Sequence, residues 1–201
     1  TMYLAWNTRR PRQHHLNMGY YVLQYLYTTR TTPLVLGGSV DLAVHGYTDA
    51  SLGTGPKGRS IVANLVKLNP NGGAVMAKVT ANQSVVTSSF EAELDGVTRC
   101  IKSMSRIQNI IKEIGINLSQ LPHLWSDNEA MINFVKGQGV AKGLRHMELR
   151  MWYIREKYKE GSYIIDYMSG NIIPADILTK LGTKVEHKEF TKAIMGHNLL
   201  E

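Results

Sequence analysis

Val40-Asp41-Leu42-Ala43-Val44-His45-Gly46-Tyr47-Thr48-Asp49 decides the fold, because its β-branched and aromatic content predicts a strand from Val40 to Thr48 that ends on a carboxylate. Arg59 to Leu68 predicts a second strand, and the turn cluster Asn69-Pro70-Asn71-Gly72-Gly73 leads into a third from Ala74 to Thr80. Three strands joined this way make an antiparallel meander. The hydrophobic period then changes. Phe90, Leu94, Val97, Ile101, Met104 and Ile111 keep the spacing of one helical face, which predicts a long helix. Further on come a short strand from Leu121 to Trp125, a helix from Glu129 to Lys136 closed by Gly137 and Gly139, and a basic helix from Leu144 to Glu160. On that basic helix Met147, Met151, Ile154 and Tyr158 form one stripe and His146, Arg150, Tyr153 and Lys157 its neighbour. A last strand from Ser162 to Met168 and a helix opened by Pro174 at its first position complete the pattern. Strands first and alternation afterwards give the α/β class: a mixed sheet with helices packed on it.

The 201 residues, 43% of them hydrophobic, suit one principal domain with an appendage and exclude a polymerase and a nuclease side by side. A net charge of +7 makes a polyanion such as nucleic acid a natural partner. Cys100 is the single cysteine, so an intramolecular disulfide and a thiolate zinc cluster are both excluded, and its place in the helical pattern makes it a small core residue. No apolar run reaches the roughly 18 residues of a membrane span, and the first residues lack a secretory layout, so a soluble intracellular protein is expected. Thr1-Met2-Tyr3 reads as the middle of a longer product. Residues 1–38 stand apart: Arg9, Arg10, Arg12, His14 and His15 crowd together before a helix from Met18 to Tyr27, and Gly37-Gly38 marks a boundary. Residues 183–201 form a second appendage, helical from Val185 to Leu199, with Phe190, Ile194 and Leu199 as its packing stripe.

Four carboxylates carry the chemistry. Asp49 ends the first strand, where an aspartate also suits the turn announced by Gly53, Gly55 and Gly58. Ser88 and Glu91 have capping-box spacing, which makes Glu91 the structural acid and leaves Glu93 for another task, with Gly96 and Cys100 on its face. Asp95, on a different face, is expected in solvent. Ser126 and Glu129 repeat the capping-box spacing and relieve Asp127 in the same way. Asp176, in the first turn after Pro174, also suits the positive end of a helix dipole. If the four converge, two unit charges roughly 4 Å apart repel by about 4 kcal/mol at an effective dielectric near 20, so the group needs cations. Oxygen ligands without histidine or thiolate favour Mg²⁺ or Mn²⁺, and a pair of such ions suits phosphodiester hydrolysis.

Taken in order, Gly46-Tyr47-Thr48-Asp49-Ala50, Ser88-Ser89-Phe90-Glu91-Ala92-Glu93, Ser126-Asp127-Asn128, Arg145-His146-Met147-Glu148-Leu149-Arg150 with Ile154-Arg155-Glu156-Lys157, and Ala175-Asp176-Ile177-Leu178-Thr179-Lys180 resemble the ribonuclease H domain of a copia-type (Pseudoviridae) long-terminal-repeat retrotransposon polyprotein. The resemblance covers about residues 40–182. Arg10-Pro11, His14 or His15, and Val22-Leu23-Gln24-Tyr25-Leu26-Tyr27-Thr28-Thr29 resemble the end of the same element's reverse transcriptase. The domains implied are therefore 1–38 as a helical connection segment, 39–182 as the ribonuclease H domain and 183–201 as a helical tail.

The implied fold is ribonuclease H-like, a five-stranded mixed sheet of three antiparallel strands and two parallel additions flanked by helices. The implied activity is endonucleolytic removal of the RNA strand from RNA/DNA hybrids by two Mg²⁺ ions, with Asp49 bridging both, Glu93 and Asp127 holding one and Asp176 completing the other. Asn128, Lys142, Arg145, His146, Arg150 and Lys157 are the candidate hybrid-binding residues, for which a solvated helix face is the competing explanation. The implied partners are the hybrid, the upstream reverse transcriptase and a second copy of the chain, in cytoplasmic virus-like particles or the nucleus, with no membrane. Phe90, Leu94 and Leu144 depart from the family's usual threonine, tyrosine and threonine, and Ser169-Gly170-Asn171-Ile172-Ile173 lacks the mobile histidine that many relatives carry before the last acid. Two other readings stay open. One is a weak or inactive module of the same fold that binds hybrid or pairs with a polymerase domain. The other is an integrase-like strand-transfer domain using Glu148 or Glu160 after Asp127, although no His/His/Cys/Cys zinc module accompanies it.

Overall fold

β1 (His45–Ser51) is the strand of the opening stretch, and it runs past Asp49 rather than stopping before it. β2 (Ile61–Lys67) and β3 (Ala74–Ala81) complete the antiparallel meander, with Asp49 opposite Ala63. β4 (His123–Ser126) and β5 (Ile164–Tyr167) add in parallel, giving the order β3-β2-β1-β4-β5. The five-stranded mixed sheet is as expected. The computed structural model describes residues 2–37, 42–82, 85–118, 120–138, 147–180 and 182–197.

α3 (Ser89–Glu113) lies along β1 and β2, and α4 (Glu129–Val135) and α5 (Glu148–Lys159) share its side of the sheet. Strand alternation divides the apolar side chains between two faces. Val44, Val66, Leu94, Val97, Met104, Leu124, Met131, Phe134, Ile154 and Ile165 form the core beneath these helices. Tyr47, Ala63, Leu65, Ile173 and Ala175 form a smaller core on the other face. α3 approaches closely because two glycines let it: a Cβ on Gly96 would lie 2.6 Å from Thr48 Oγ1, and one on Gly46 would collide with Met104. Asn64, oriented with its NH₂ facing Thr48 Oγ1 at 2.9 Å, Ala63 O at 2.9 Å and Gly96 O at 3.2 Å, pins helix to strands through a buried polar contact.

α6 (Lys184–Met195) starts with a capping box between Thr183 and Glu186 and ends at Gly196, a left-handed residue at φ 76°. Ile194 packs against the smaller core. Lys67, almost wholly buried, donates to Ala193 O at 2.6 Å and Pro70 O at 3.1 Å, while Val35 N–H donates to Met195 O at 2.8 Å. The end of this helix is therefore fastened to the β2–β3 turn. Burial of its ammonium lowers the Lys67 pKa to about 8.

The chain divides into two compact units, Thr1–Leu34 and Val35–Glu201. In the first, α1 (Met2–Trp6) is a helix that no periodicity announces, and α2 (Gln13–Thr28) starts earlier than Met18, with His15 Nδ1 accepting from Arg12 N–H at 2.9 Å to close its first turn. Tyr20, Tyr21, Leu23, Leu26 and Tyr27 on α2 are exposed.

Several local expectations are corrected. The segment after Pro174 is a single 3-10 turn, Asp176–Leu178, rather than an α-helix, because Asp176, Leu178 and Thr179 each donate three residues back. The cap of α4 is Asn128, whose side chain accepts from Met131 N–H at 2.9 Å, not Ser126, which is buried at the end of β4. Asp95 is 5% exposed rather than solvated, since Arg99 at 2.6 Å and Arg150 at 3.2 Å both pair with it. His123 is held in a network with Asp166 at 2.9 Å, which Lys136 also pairs at 2.8 Å.

Candidate metal centre

Parallel pairing places two carboxylates side by side. Tyr47 pairs with Trp125, and two residues further along each chain stand Asp49 and Asp127. α3 brings Glu93 over the same end of β1, and one carboxylate oxygen from each of the three lies within 4.8 Å of the others. Asp176 approaches from the 3-10 turn: a Cβ on Gly170 would meet Asp127 Oδ2 at 3.1 Å and Asp176 Oδ1 at 3.9 Å, so glycine there lets the loop pass between the two. Of the residues singled out from the sequence, the structure thus groups Asp49, Glu93 and Asp127 tightly and sets Asp176 on their border.

Asp49 and Glu93 are 1% and 5% exposed, and Asp127 and Asp176 are half-buried. Burial, then the charges of Asp49 and Asp127, hold the Glu93 carboxyl well above its ordinary value, against a backbone hydrogen bond from Ala50. Glu93 Oε2 has no hydrogen-bond partner among the described residues. Burial also raises Asp49, with Asp127 and Asp176 adding to it, while a hydrogen bond from Thr179 and the charge of Lys180 oppose the shift. The donor set fits a hard divalent cation: a buried, unpartnered carboxylate oxygen beside two further carboxylates, without sulfur or imidazole.

Two neighbours went unassigned from the sequence. Thr179 Oγ1 donates to Asp49 Oδ2, and the Lys180 ammonium bonds Asp176 Oδ1 and stands 3.6 Å from Asp49 Oδ1. The i, i+4 spacing of Asp176 and Lys180 was a usable signal. Among the candidate hybrid-binding residues, Asn128 spends its amide oxygen on the α4 cap, Arg150 is paired with Asp95, and Lys157 with Glu160 at 2.6 Å. Lys142, Arg145 and His146 lie outside the described residues. Glu148 and Glu160 sit exposed at opposite ends of α5, and neither belongs to the carboxylate group.

No family model matches the chain. It is 28% identical over 186 residues to the retrovirus-related Pol polyprotein of transposon TNT 1-94 from Nicotiana tabacum, an alignment covering 92% of this chain and 14% of that one. It is 24% identical over 182 residues to the Gag-Pol polyprotein of transposon Ty1-NL2 from Saccharomyces cerevisiae, covering 88% of this chain and 10% of that one. Its homologues are copia/Ty1-type retrotransposon Pol polyproteins. The chain spans a small part of their length. Among solved structures, LC11-RNase H1, isolated from compost by a metagenomic approach, aligns with a TM-score of 0.51 at 12% identity, covering 79% of this chain and 99% of the other. The Val35–Glu201 unit of this Pol relative carries the ribonuclease H fold. Among the described residues no helix is long and apolar enough to cross a membrane.

Proposed function

We propose that this chain is the ribonuclease H region of a retrotransposon polyprotein and hydrolyses the RNA strand of RNA/DNA hybrids with two divalent cations, Mg²⁺ or Mn²⁺. The observation that carries the reading is the meeting of Asp49, Glu93 and Asp127 within 4.8 Å at the C-terminal ends of the paired strands. Asp49 would bridge both ions, Glu93 and Asp127 would hold one, and Asp176 would complete the other. Bound there, the cations would supply Lewis acidity to lower the pKa of water and steady the departing oxygen. The chain's own part is placement: Thr179 orients Asp49 by its hydroxyl, Ala50 N–H holds Glu93, and α3 presses on β1 to keep the carboxylates together. An integrase-like assignment leaves Glu93 without a task, whereas the structure seats it in the cluster.

The hybrid would be gripped by shape and phosphate contacts, with Asn128, Lys142, Arg145, His146, Arg150 and Lys157 as its binding surface. Arg150 and Lys157 would then exchange a carboxylate for a phosphate. Labelled RNA/DNA duplex with Mg²⁺ tests the activity. Asp49→Asn and Asp127→Asn are expected to lower the cleavage rate by on the order of a hundred-fold or more, the scale on which one electrostatic group is felt in catalysis. Cutting by the unaltered chain no faster than by these variants refutes the nuclease. Hybrid binding that survives EDTA without cleavage assigns the chain to a binding module instead.

Residues 1–38 are proposed as the end of the reverse transcriptase, 39–182 as the nuclease domain and 183–201 as its tail. The exposed tyrosines and leucines of α2 suit packing against polymerase sequence upstream. Restoring an upstream polymerase segment is expected to tighten hybrid binding, read as a lower Kd in a fluorescence-anisotropy titration. Equal dissociation constants for the two proteins contradict this.

A further inference from the structure

The carboxylate cluster is lopsided. On the side of Asp49 and Asp176 a cation is already present: the Lys180 ammonium bonds Asp176 Oδ1 and lies 3.6 Å from Asp49 Oδ1. On the side of Glu93 and Asp127 no lysine or arginine forms an ion pair with either acid among the described residues, and among them Glu93 Oε2 has no hydrogen-bond partner. Two like-charged sets of oxygens share Asp49; the field of Lys180 reaches both, but among the described residues only the Asp49–Asp176 set has it at ion-pair distance.

We propose that Lys180 is a tethered counter-ion that occupies the Asp49–Asp176 position when divalent metal is absent and must yield it to the second ion. The geometry permits both states. Asp176 and Lys180 are four residues apart across the 3-10 turn, which puts the ammonium within reach of the carboxylate without a change of backbone. The Lys180 side chain is 47% exposed while the side chain of Asp49 is 2% exposed, so the lysine can swing towards water and the carboxylate cannot. Thr179, the adjacent residue, stays bonded to Asp49 and keeps that carboxylate aimed when the lysine departs. The first ion, entering between Glu93 and Asp127, displaces no cation. The second meets a competitor of like sign at its own position. Ion occupancy is therefore sequential, and Lys180 sets the concentration at which the pair is completed.

The assignment rests on the two-cation reading, and calorimetric titration of MgCl₂ and MnCl₂ into the full chain separates the two claims. The unaltered protein is expected to show two unequal sites. Lys180→Gln is expected to tighten the weaker site about ten-fold and the stronger one much less, while lowering the melting temperature in EDTA because the counter-charge is gone. Lys180→Arg, which keeps the charge, is expected to leave the weaker site weak, and Lys78→Gln on exposed β3 to change neither. An unchanged or weakened second site in Lys180→Gln, with two sites still resolved, overturns the role of Lys180 and leaves the nuclease reading standing. Absence of divalent binding in every variant overturns both.

Discussion

Glu93→Gln is expected to raise the melting temperature of the metal-free protein and, in the same molecule, to abolish cation-dependent cleavage of hybrid. Glu93 is 5% exposed with Oε2 unpartnered, and Asp49 and Asp127 face it. Its carboxyl lies above the ordinary value in the folded protein, chiefly through burial and then through these two charges. A carboxyl raised in this way contributes its stability below the unfolded pKa and loses it as pH rises through the folded one. As pH rises through that raised folded value the side chain ionises, and it then opposes folding until a cation arrives. Glutamine keeps the shape, removes the charge and still offers a carbonyl oxygen to Ala50 N–H. Relieving one buried, poorly satisfied charged group is worth about 1–3 kcal/mol. In a chain of this size each kcal/mol moves Tm by about 2–4 °C. Circular dichroism melts in EDTA and in MgCl₂ check it: the variant melts higher in EDTA, and added magnesium lifts the unaltered protein more than the variant. A lower Tm for Glu93→Gln in EDTA makes Glu93 a structural residue and removes the central ligand from the proposed site.

The sheet was legible because its signals are local. The β-branched and aromatic content of Val40–Thr48, the strand-like run Arg59–Leu68 and the turn at Asn69–Gly73 need no partner to be read, and the antiparallel meander follows from them, although the first strand is His45–Ser51. The helical face of Phe90, Leu94, Val97, Ile101 and Met104 is the face α3 turns to the core. Glu93 could be singled out because Glu91 had a cap to make: Ser88 Oγ accepts from Glu91 N–H at 3.2 Å, and Glu91 Oε2 accepts from Thr87 N–H at 3.1 Å, one residue earlier than a standard capping box. Asp127 was singled out through the wrong cap, since Asn128 does the work assigned to Ser126, although Asp127 is left uncommitted either way.

What stayed hidden depends on distant chain. Asp95 is paired by Arg99 on its own helix and also by Arg150 reaching from α5, and that second contact no window around residue 95 contains. The 3-10 turn after Pro174 is shaped by a long-range bond, Thr179 to Asp49 across 130 residues of sequence, where local propensity favoured an α-helix. The docking of α6 depends on Lys67, whose ammonium donates to Pro70 O and to Ala193 O, the latter 126 residues away in sequence. α1 has five residues, too few for a helical period to register.

Gly96→Val is expected to unfasten the carboxylate cluster from a position that touches no cation. A Cβ at Gly96 would lie 2.6 Å from Thr48 Oγ1 and 3.3 Å from Val62 Cγ1, and valine adds two further methyl groups in the same direction. Thr48 cannot turn away freely, because its hydroxyl is bound up with Asn64, which also faces Gly96 O. The helix must therefore retreat from β1. Overpacking of this kind costs about 1–3 kcal/mol or more, and the gain in helix propensity on replacing glycine recovers less than about 1 kcal/mol of it. Glu93, one turn upstream on the same helix, moves away from Asp49 with it. Positioning catalysis is steep in distance, and a displacement near 1 Å costs about a hundred-fold in rate. The expected result is a Tm lowered by several degrees, a magnesium-induced Tm shift smaller than that of the unaltered protein, and cleavage reduced on that scale. Gly19→Ala, on α2 with nothing within 4 Å of its Cβ, is the control and is expected to leave cleavage unchanged. A Gly96→Val protein that binds magnesium and cleaves hybrid like its parent would show that the approach of α3 to β1 does not set the spacing between Glu93 and Asp49.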